Sequence, residues 1–138
     1  MSGRPDGVVA LAEEMTRNGA QRDGPVRAVM ALLGDRWTTL ILLVLGIGTF
    51  RHADLRRTLS ALSPENAISQ RVLTRQLRLL ERDGMILRSA TADVPPRVSY
   101  RLSTLGEGLL DQAWRTIRWI EAHDERIRAA RAAFDAGD

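Results

Sequence analysis

Four arginines in the segment 69–82 recur at i, i+4, i+7 and i+11, a spacing that places them on one side of a helix. They are Arg71, Arg75, Arg78 and Arg82. Like charges at this spacing cost an isolated helix about 0.2–0.5 kcal/mol per pair. A stripe of one sign therefore works slightly against folding and indicates an external polyanion. The other half of the helix, in which leucines predominate and Gln76 is included, is predicted to face a core.

The residue types along the charged side suit the recognition of DNA. Arginine and glutamine can hydrogen-bond the edges of guanine and adenine in the major groove, and threonine can contact the methyl group of thymine. We therefore expect Gln70, Arg71 and Thr74, near the start of the helix, to face bases. Ser69, Arg78 and Arg82 are better placed for phosphates. Taken alone, the stripe is explained equally well as the solvated face of an ordinary amphipathic helix.

The segment after this helix predicts a basic two-stranded ribbon. Val98, Tyr100 and Leu102 alternate with polar residues, which is typical of a half-buried strand, and 85–92 is its expected partner. Residues 93–96 include two prolines and form the tip of the hairpin. Positive charge is added by Arg88, Arg97 and Arg101. A basic helix followed by a basic ribbon is typical of a nucleic-acid-binding surface, and it favours double-stranded DNA as the partner.

The other elements predict a helical unit that positions this helix and ribbon. Apolar periodicity and capping residues indicate helices at about 6–18, 25–34, 37–45 and 53–62, with a short extended piece at 49–51. Segment 37–45 is apolar on all sides, so we expect it at the centre of the core. Thr104 and Glu107 form a capping box for a long last helix that reaches about Phe134. The predicted fold class is mainly α with a small antiparallel β-hairpin, arranged as a winged helix-turn-helix.

The chain has 138 residues and a mass of 15.3 kDa, which predicts one domain. Within it we separate an N-terminal tail and helix (1–23), a winged helix-turn-helix (24–103) and a C-terminal helix (104–138). Turns are expected at Asn18-Gly19 and across Ser63, Pro64, Glu65 and Asn66.

The two ends of the chain predict a homodimer. The last helix carries apolar residues at heptad-like spacing, and its second half projects beyond any core that this chain can supply. The first half of this helix can instead pack against its own domain. The N-terminal helix is expected to join the same interface. The predicted interface residues are Val8, Leu11, Met15, Ile117, Ile120 and Ile127.

Three tryptophans admit two interpretations. Trp37 and Trp114, together with Trp119, could line a pocket for a small-molecule effector between the core and the dimer helices. Packing in the core and the interface is the commoner role of tryptophan, and we favour it.

Composition and missing motifs exclude several function classes. The chain has no cysteine, and all 20 of its basic residues are arginine, so disulfides, thiolate metal sites and lysine chemistry are absent. His52 and His123 are not in an H-E-x-x-H arrangement, Gly46 and Gly48 lack the third glycine of a dinucleotide loop, and no G-x-S-x-G motif occurs. We predict no enzyme, no cofactor and no metal.

The termini and the apolar stretches indicate no membrane partner. Residues 1–7 lack the pattern of a signal peptide, and the longest apolar stretch, 40–48, is far shorter than the roughly 18 residues of a membrane span. We expect a cytoplasmic protein.

Six short segments between about 24 and 119 form a series: GPV at 24–26, GDRWT at 34–38, DLRR at 54–57, ISQRVLT at 68–74, LRLLERDG at 77–84 and PPRVSYRLS at 95–103. In their order, and at nearly the same spacing, they resemble the HxlR family of bacterial transcriptional regulators. The resemblance implies a homodimeric winged-helix protein, related to the MarR type, that binds an inverted-repeat operator. It also implies that DNA is read by Ser69, Gln70, Arg71, Thr74 and Arg75, with Arg97 on the wing reaching the minor groove.

Three positions depart from the family pattern. Gly24 stands where many members have a sensing cysteine, so a thiol switch cannot operate. His52 stands where an aromatic residue is usual, and the segment 60–67 is longer than the usual turn before the recognition helix. The prediction is a DNA-binding regulator, more specifically a repressor. The alternative is a winged-helix protein-interaction module without specific DNA binding.

Overall fold

A computed structural model describes residues 3–17, 24–63 and 67–137 of the chain. The expected turns at Asn18-Gly19 and at Pro64, Glu65 and Asn66 lie outside these residues. In chain order the elements are α1 (Val8–Arg17), α2 (Pro25–Gly34), α3 (Arg36–Leu45), β1 (Phe50–Arg51), α4 (His52–Leu62), α5 (Gln70–Arg82), β2 (Ile86–Ala90), β3 (Val98–Leu102), α6 (Thr104–Ala122) and α7 (Asp124–Ala136).

Helix α3 lies at the centre of the core, as its composition predicts. It packs against α2, α4, α5, α6 and strand β3. Its side chains Ile41 and Leu42 are fully buried, and α4 and α5 contribute further buried leucines. These are Leu55, Leu59, Leu73, Leu77 and Leu80. The apolar side of α5 is therefore fixed against the central helix, which leaves its charged side outward.

No single helix in the described ranges is long and apolar enough to cross a membrane. Helices α2 and α3 reach that length and composition only as a pair, and they are bent by 88° relative to each other. Most of the apolar side chains of α3 belong to the core.

The sheet contains the predicted hairpin and one further strand. Strands β2 and β3 pair antiparallel, and the two-residue strand β1 pairs with the other edge of β3. Phe50 and Arg88 are both register partners of Tyr100. The winged helix-turn-helix class is confirmed, and the wing is anchored to the helical unit through β1.

The start of α6 differs from the prediction. Ser103, and not Thr104, is the N-cap: its Oγ accepts a hydrogen bond from the Gly106 amide at 2.9 Å. The same hydroxyl donates to the carbonyl of Gly84 at 2.6 Å. The N-cap assigned to Thr104 was therefore wrong by one position. Because the residue three after Ser103 is a glycine, the cap is a single serine and not a capping box.

The predicted long last helix is divided in two at His123. This residue ends α6 and precedes α7, with φ −113° and ψ 13°. Its Nδ1 lies 2.7 Å from the carbonyl oxygen of Trp119, and the two rings stack with centroids 4.4 Å apart. A single helix to Phe134 is thus replaced by two shorter ones.

Candidate nucleic-acid interface

Helix α5 begins where the sequence predicts, at a serine cap. The Oγ of Ser69 accepts a hydrogen bond from the amide of Val72 at 3.1 Å, which satisfies one of the free N–H groups of the first turn. Nε of Arg56 on α4 donates to the carbonyl of Ile68 at 3.0 Å. The start of α5 is therefore attached both to its own cap and to the preceding helix.

The outward side of α5 brings five of the predicted DNA-binding residues together. They line one open groove of about 720 Å³, with Leu79 at its edge. The five are Gln70, Arg71, Thr74, Arg75 and Arg78. All are exposed except Thr74, which is half-buried. Arg82 lies at the end of the same stripe, where its guanidinium pairs with the carboxylate of Asp83 at 3.0 Å.

A partly buried chain of hydrogen bonds joins the inner side of α5 to the start of α3. Nε2 of Gln76 donates to Oγ1 of Thr38 at 3.2 Å, and that hydroxyl donates to Oδ2 of Asp35 at 3.1 Å. Asp35 is also the N-cap of α3, accepting from the Thr38 amide at 2.9 Å. Burial acts to raise the pKa of Asp35, but hydrogen bonds from Gln76, Thr38 and the backbone outweigh it, so its pKa lies below the ordinary value.

His52, the first residue of α4, touches the middle of the charged side. Its Nε2 lies 3.3 Å from Oγ1 of Thr74, in hydrogen-bond contact. The imidazole also faces the ring of Tyr100 on β3, with centroids 6.3 Å apart and planes tilted by 55°. Burial and the neighbouring charge of Arg56 lower the pKa of His52, which favours the neutral ring. From the sequence, His52 was noted only because it stands where an aromatic residue is usual in the family, and its contact with Thr74 was not predicted.

The register of the wing separates Arg88 from Arg101. Arg88 is the register partner of Tyr100, whereas Arg101 is the partner of Leu87. Neighbouring positions of a strand point to opposite faces of the sheet, so Arg88 and Arg101 do not share a surface. Arg101 instead lines a groove at the foot of α6 that also contains two acidic side chains, Glu107 and Asp111.

The tip of the wing is closed by hydrogen bonds around Arg97. Its amide donates to Oγ1 of Thr91 at 2.9 Å, and its carbonyl accepts from the Thr91 amide at 3.0 Å. The Arg97 guanidinium is exposed, 3.8 Å from the carboxylate of Asp93. The backbone of Arg97 is thus fixed while its side chain remains at the surface.

The predicted interface residues lie at the surface of the single chain. Val8 is 82% exposed, and Leu11 and Met15 are also exposed along α1. On α6, Ile120 is 45% exposed and Ile117 is half-buried, while Ile127 on α7 is half-buried. Ile117 and Ile120 line a groove of about 790 Å³ between α2 and α6, together with Met30, Leu33 and Trp119.

The tryptophans are distributed over different surfaces. Trp37 packs against the core and lines a groove of about 250 Å³ with Leu40 and Leu62. Trp114 is 38% exposed, with the guanidinium of Arg118 5.1 Å from its ring centre. Trp119 belongs to the larger groove between α2 and α6. Trp37 and Trp119 therefore line separate grooves.

The chain is similar to helix-turn-helix transcriptional regulators in both sequence and structure. The sequence model of the family described as HxlR-like helix-turn-helix matches residues 32–128. The HTH-type transcriptional regulator YtfH of Escherichia coli (strain K12) is 36% identical over 107 residues, which cover 78% of this chain and 80% of that protein. The solved structure of the transcriptional regulator YtfH from Salmonella typhimurium matches with a TM-score of 0.66 at 34% identity, covering 82% of this chain and 96% of the other. The solved structure of a MarR-family transcriptional regulator from Enterococcus faecalis V583 matches with a TM-score of 0.62 at 29% identity, covering 79% of this chain and 94% of the other.

Proposed function

The chain belongs to the HxlR family of helix-turn-helix transcriptional regulators, and from this premise we propose that it is a homodimeric repressor reading an inverted-repeat operator. Helix α5 enters the major groove, and the wing at 86–101 lies at the adjacent minor groove. The observation that carries the proposal is the open side of α5. Its five polar side chains line one groove, while the other side of the helix is fixed in the core.

Each proposed DNA contact follows from its place on this surface. Gln70, Arg71, Thr74 and Arg75 occupy the first half of α5, the part that meets base edges when a recognition helix enters the major groove. Arg78, one turn further on, and Ser69 at the cap are assigned to phosphates. On the wing, Arg88 and Arg97 are assigned to the DNA backbone and the minor groove.

The proposed dimer explains the apolar side chains that the single chain leaves uncovered. Val8, Leu11 and Met15 lie on α1, and Ile117 and Ile120 lie on α6. A twofold axis through this region would present two copies of α5. Two recognition helices read successive major grooves when they are about 34 Å apart, which is why an inverted repeat is the expected operator.

We also propose a small-molecule effector as the regulatory input, because the chain contains no cysteine. The groove beside Trp37 lies between α3 and the end of α4, the helix that precedes α5. A ligand there would act on the position of α4, and through Arg56 on the start of α5. Binding would be detected as a change in tryptophan fluorescence, melting temperature and operator affinity. An unchanged operator affinity with every effector that binds would contradict this role.

The test of the function is fluorescence anisotropy with a duplex from the promoter that flanks the protein's own gene. A regulator binds this duplex more tightly than a scrambled duplex of the same composition. In a salt series, the logarithm of its affinity falls linearly with the logarithm of the salt concentration, with a slope of about 0.9 per neutralised phosphate. A protein-interaction module, the alternative function, would bind both duplexes weakly and alike.

A further inference from the structure

Within 3–17, 24–63 and 67–137, His52 is the one side chain outside α5 in hydrogen-bond contact with Thr74. Its Nε2 lies 3.3 Å from Oγ1 of Thr74, and both residues are half-buried. On its other side the imidazole meets the ring of Tyr100. The ring is therefore held between the wing strand β3 and the middle of α5.

The partner of a threonine hydroxyl decides where the methyl group of the same side chain points. In a helix, threonine divides between two rotamers because its hydroxyl can bond a carbonyl three or four residues earlier. Thr16, Thr58 and Thr116 of this chain all do so, donating to the carbonyl of the fourth residue before them at 2.9, 2.8 and 3.2 Å. The hydroxyl of Thr74 contacts His52 instead.

The methyl group of Thr74 is then the part of its side chain left for an external partner. Thr74 lines the open groove of α5 among Gln70, Arg71, Arg75 and Arg78. A methyl group at this position can contact the C5 methyl of thymine and cannot hydrogen-bond any base edge. Because the pKa of His52 is lowered, its neutral form is favoured. His52 would therefore affect DNA binding by orienting Thr74 and not by its own charge.

We propose that His52 is a positioning residue that sets base specificity: it holds the hydroxyl of Thr74 so that the threonine methyl contacts a thymine methyl in each half of the operator. The proposal rests on the function proposed above. It adds a residue that does not touch DNA to the set that determines the sequence read.

The test compares thymine with deoxyuridine, which has the same hydrogen-bonding groups and lacks only the C5 methyl. A preferred duplex is first obtained by in vitro selection with the wild-type protein, and each thymine of a half-site is then replaced in turn. Loss of one buried methyl contact weakens binding about fourfold. We expect one thymine per half-site to show this effect, and Thr74→Ser, which keeps the hydroxyl and removes the methyl, to abolish the thymine preference there. Thr58→Ser, a matched change on α4, should leave it intact.

Two variants of His52 separate orientation from packing. His52→Gln keeps a polar group near the position of Nε2 and should retain most of the thymine preference. His52→Phe fills the space beside Tyr100 but frees the Thr74 hydroxyl, so its thymine-to-deoxyuridine ratio should fall towards one. The reverse order, with Phe retaining the ratio and Gln losing it, would show that His52 only packs and would overturn the proposal.

The inference about His52 and the proposed function fail differently in this experiment. If a preferred duplex is selected but no thymine in it depends on Thr74, the inference about His52 is wrong and the proposed function stands. If selection yields no preferred duplex at all, the proposed function is wrong, and the inference falls with it.

Discussion

Nε2 of Gln76 donates to Oγ1 of Thr38 at 3.2 Å and so joins the buried side of α5 to the central helix α3. Thr38 is fully buried and Gln76 is 8% exposed. A hydrogen bond between two buried groups has a fixed geometry, because both groups lose more by separating than exposed groups would. Together with the buried leucines of α5, this bond sets the rotation of the helix about its axis, and with it the direction in which the arginines point.

The first prediction concerns this bond. Thr38→Val removes the hydroxyl that accepts from Gln76, and should lower the free energy of unfolding by about 1–3 kcal/mol because a buried donor loses its partner. In a double-mutant cycle with Gln76→Leu, measured by urea denaturation, the double variant should lose less than the sum of the single variants. The matched pair Thr58→Val and Gln76→Leu should be additive, since Thr58 donates to Asp54 on α4. Additivity of the Thr38 pair would contradict a direct coupling.

The second prediction is the response of the same chain of groups to acid. The pKa of Asp35 is lowered from its ordinary value of 3.8 in the folded protein. A carboxylate with a lowered pKa stabilises the fold above the unfolded value, and this contribution is lost as the pH falls below it. Asp35→Asn keeps an N-cap side chain but cannot titrate. In urea denaturation at a series of pH values, its stability should therefore fall less steeply than that of wild type below pH 3.8. Parallel curves for the two proteins would show that Asp35 does not contribute.

The charged side of α5 and the central position of α3 could be predicted because both are determined by local periodicity. Gln76 falls on the buried half of α5 by its angle alone. Its partner Thr38 lies 38 residues earlier, and no local pattern reports such a contact. The same is true of His52 and Thr74, which are 22 residues apart. The residues on the charged side of α5 were therefore predictable, while the groups that orient them were not.

Other differences have similar physical causes. The extended piece predicted at 49–51 is strand β1, but its two residues are too few for a period, so its pairing with β3 could not be predicted. The break at His123 lacks a sequence signal, since the chain has neither proline nor glycine between Gly108 and Gly137. Arg88 and Arg101 lie on opposite faces of the sheet because of the register between β2 and β3. Alternation within one strand does not predict the register between two strands.

The third prediction distinguishes base contacts from phosphate contacts on α5. Arg71→Ala should weaken binding to the preferred duplex by about 1–3 kcal/mol and relax the base preference at one position. Arg78→Ala should weaken binding to all duplexes alike and reduce the salt slope by about 0.9. Anisotropy titrations over a salt series measure both effects. Arg128→Ala is the control, because Arg128 lies on α7 and pairs with Asp124. Equal behaviour of the first two variants would overturn the assignment of roles.

The fourth prediction concerns the proposed dimer. Ile120→Asp places a charge on the exposed apolar side of α6, where burial against a second copy would cost several kcal/mol. Light scattering at micromolar concentration should give a dimer mass for wild type and a monomer mass for this variant. Ile47→Asp is the matched control, since Ile47 is also exposed but follows α3. A monomeric wild type, or a dimeric Ile120→Asp protein, would contradict the proposed interface.

The last prediction tests how α6 is attached to the wing. A Cβ at Gly106 would overlap the carbonyl oxygen of Met85, and this carbonyl also accepts from the Ser103 amide at 3.0 Å. Because that backbone is already bonded, it cannot shift without cost, and Gly106→Ala should lower the free energy of unfolding by about 1–3 kcal/mol. Gly108, two residues along the same helix, has no heavy atom within 4 Å of the corresponding position. Gly108→Ala should therefore stabilise by about 0.5–1 kcal/mol through helix propensity alone. Thermal melting followed by circular dichroism should give shifts of opposite sign, and two shifts of the same sign would show that α6 is not held against the hairpin in this way.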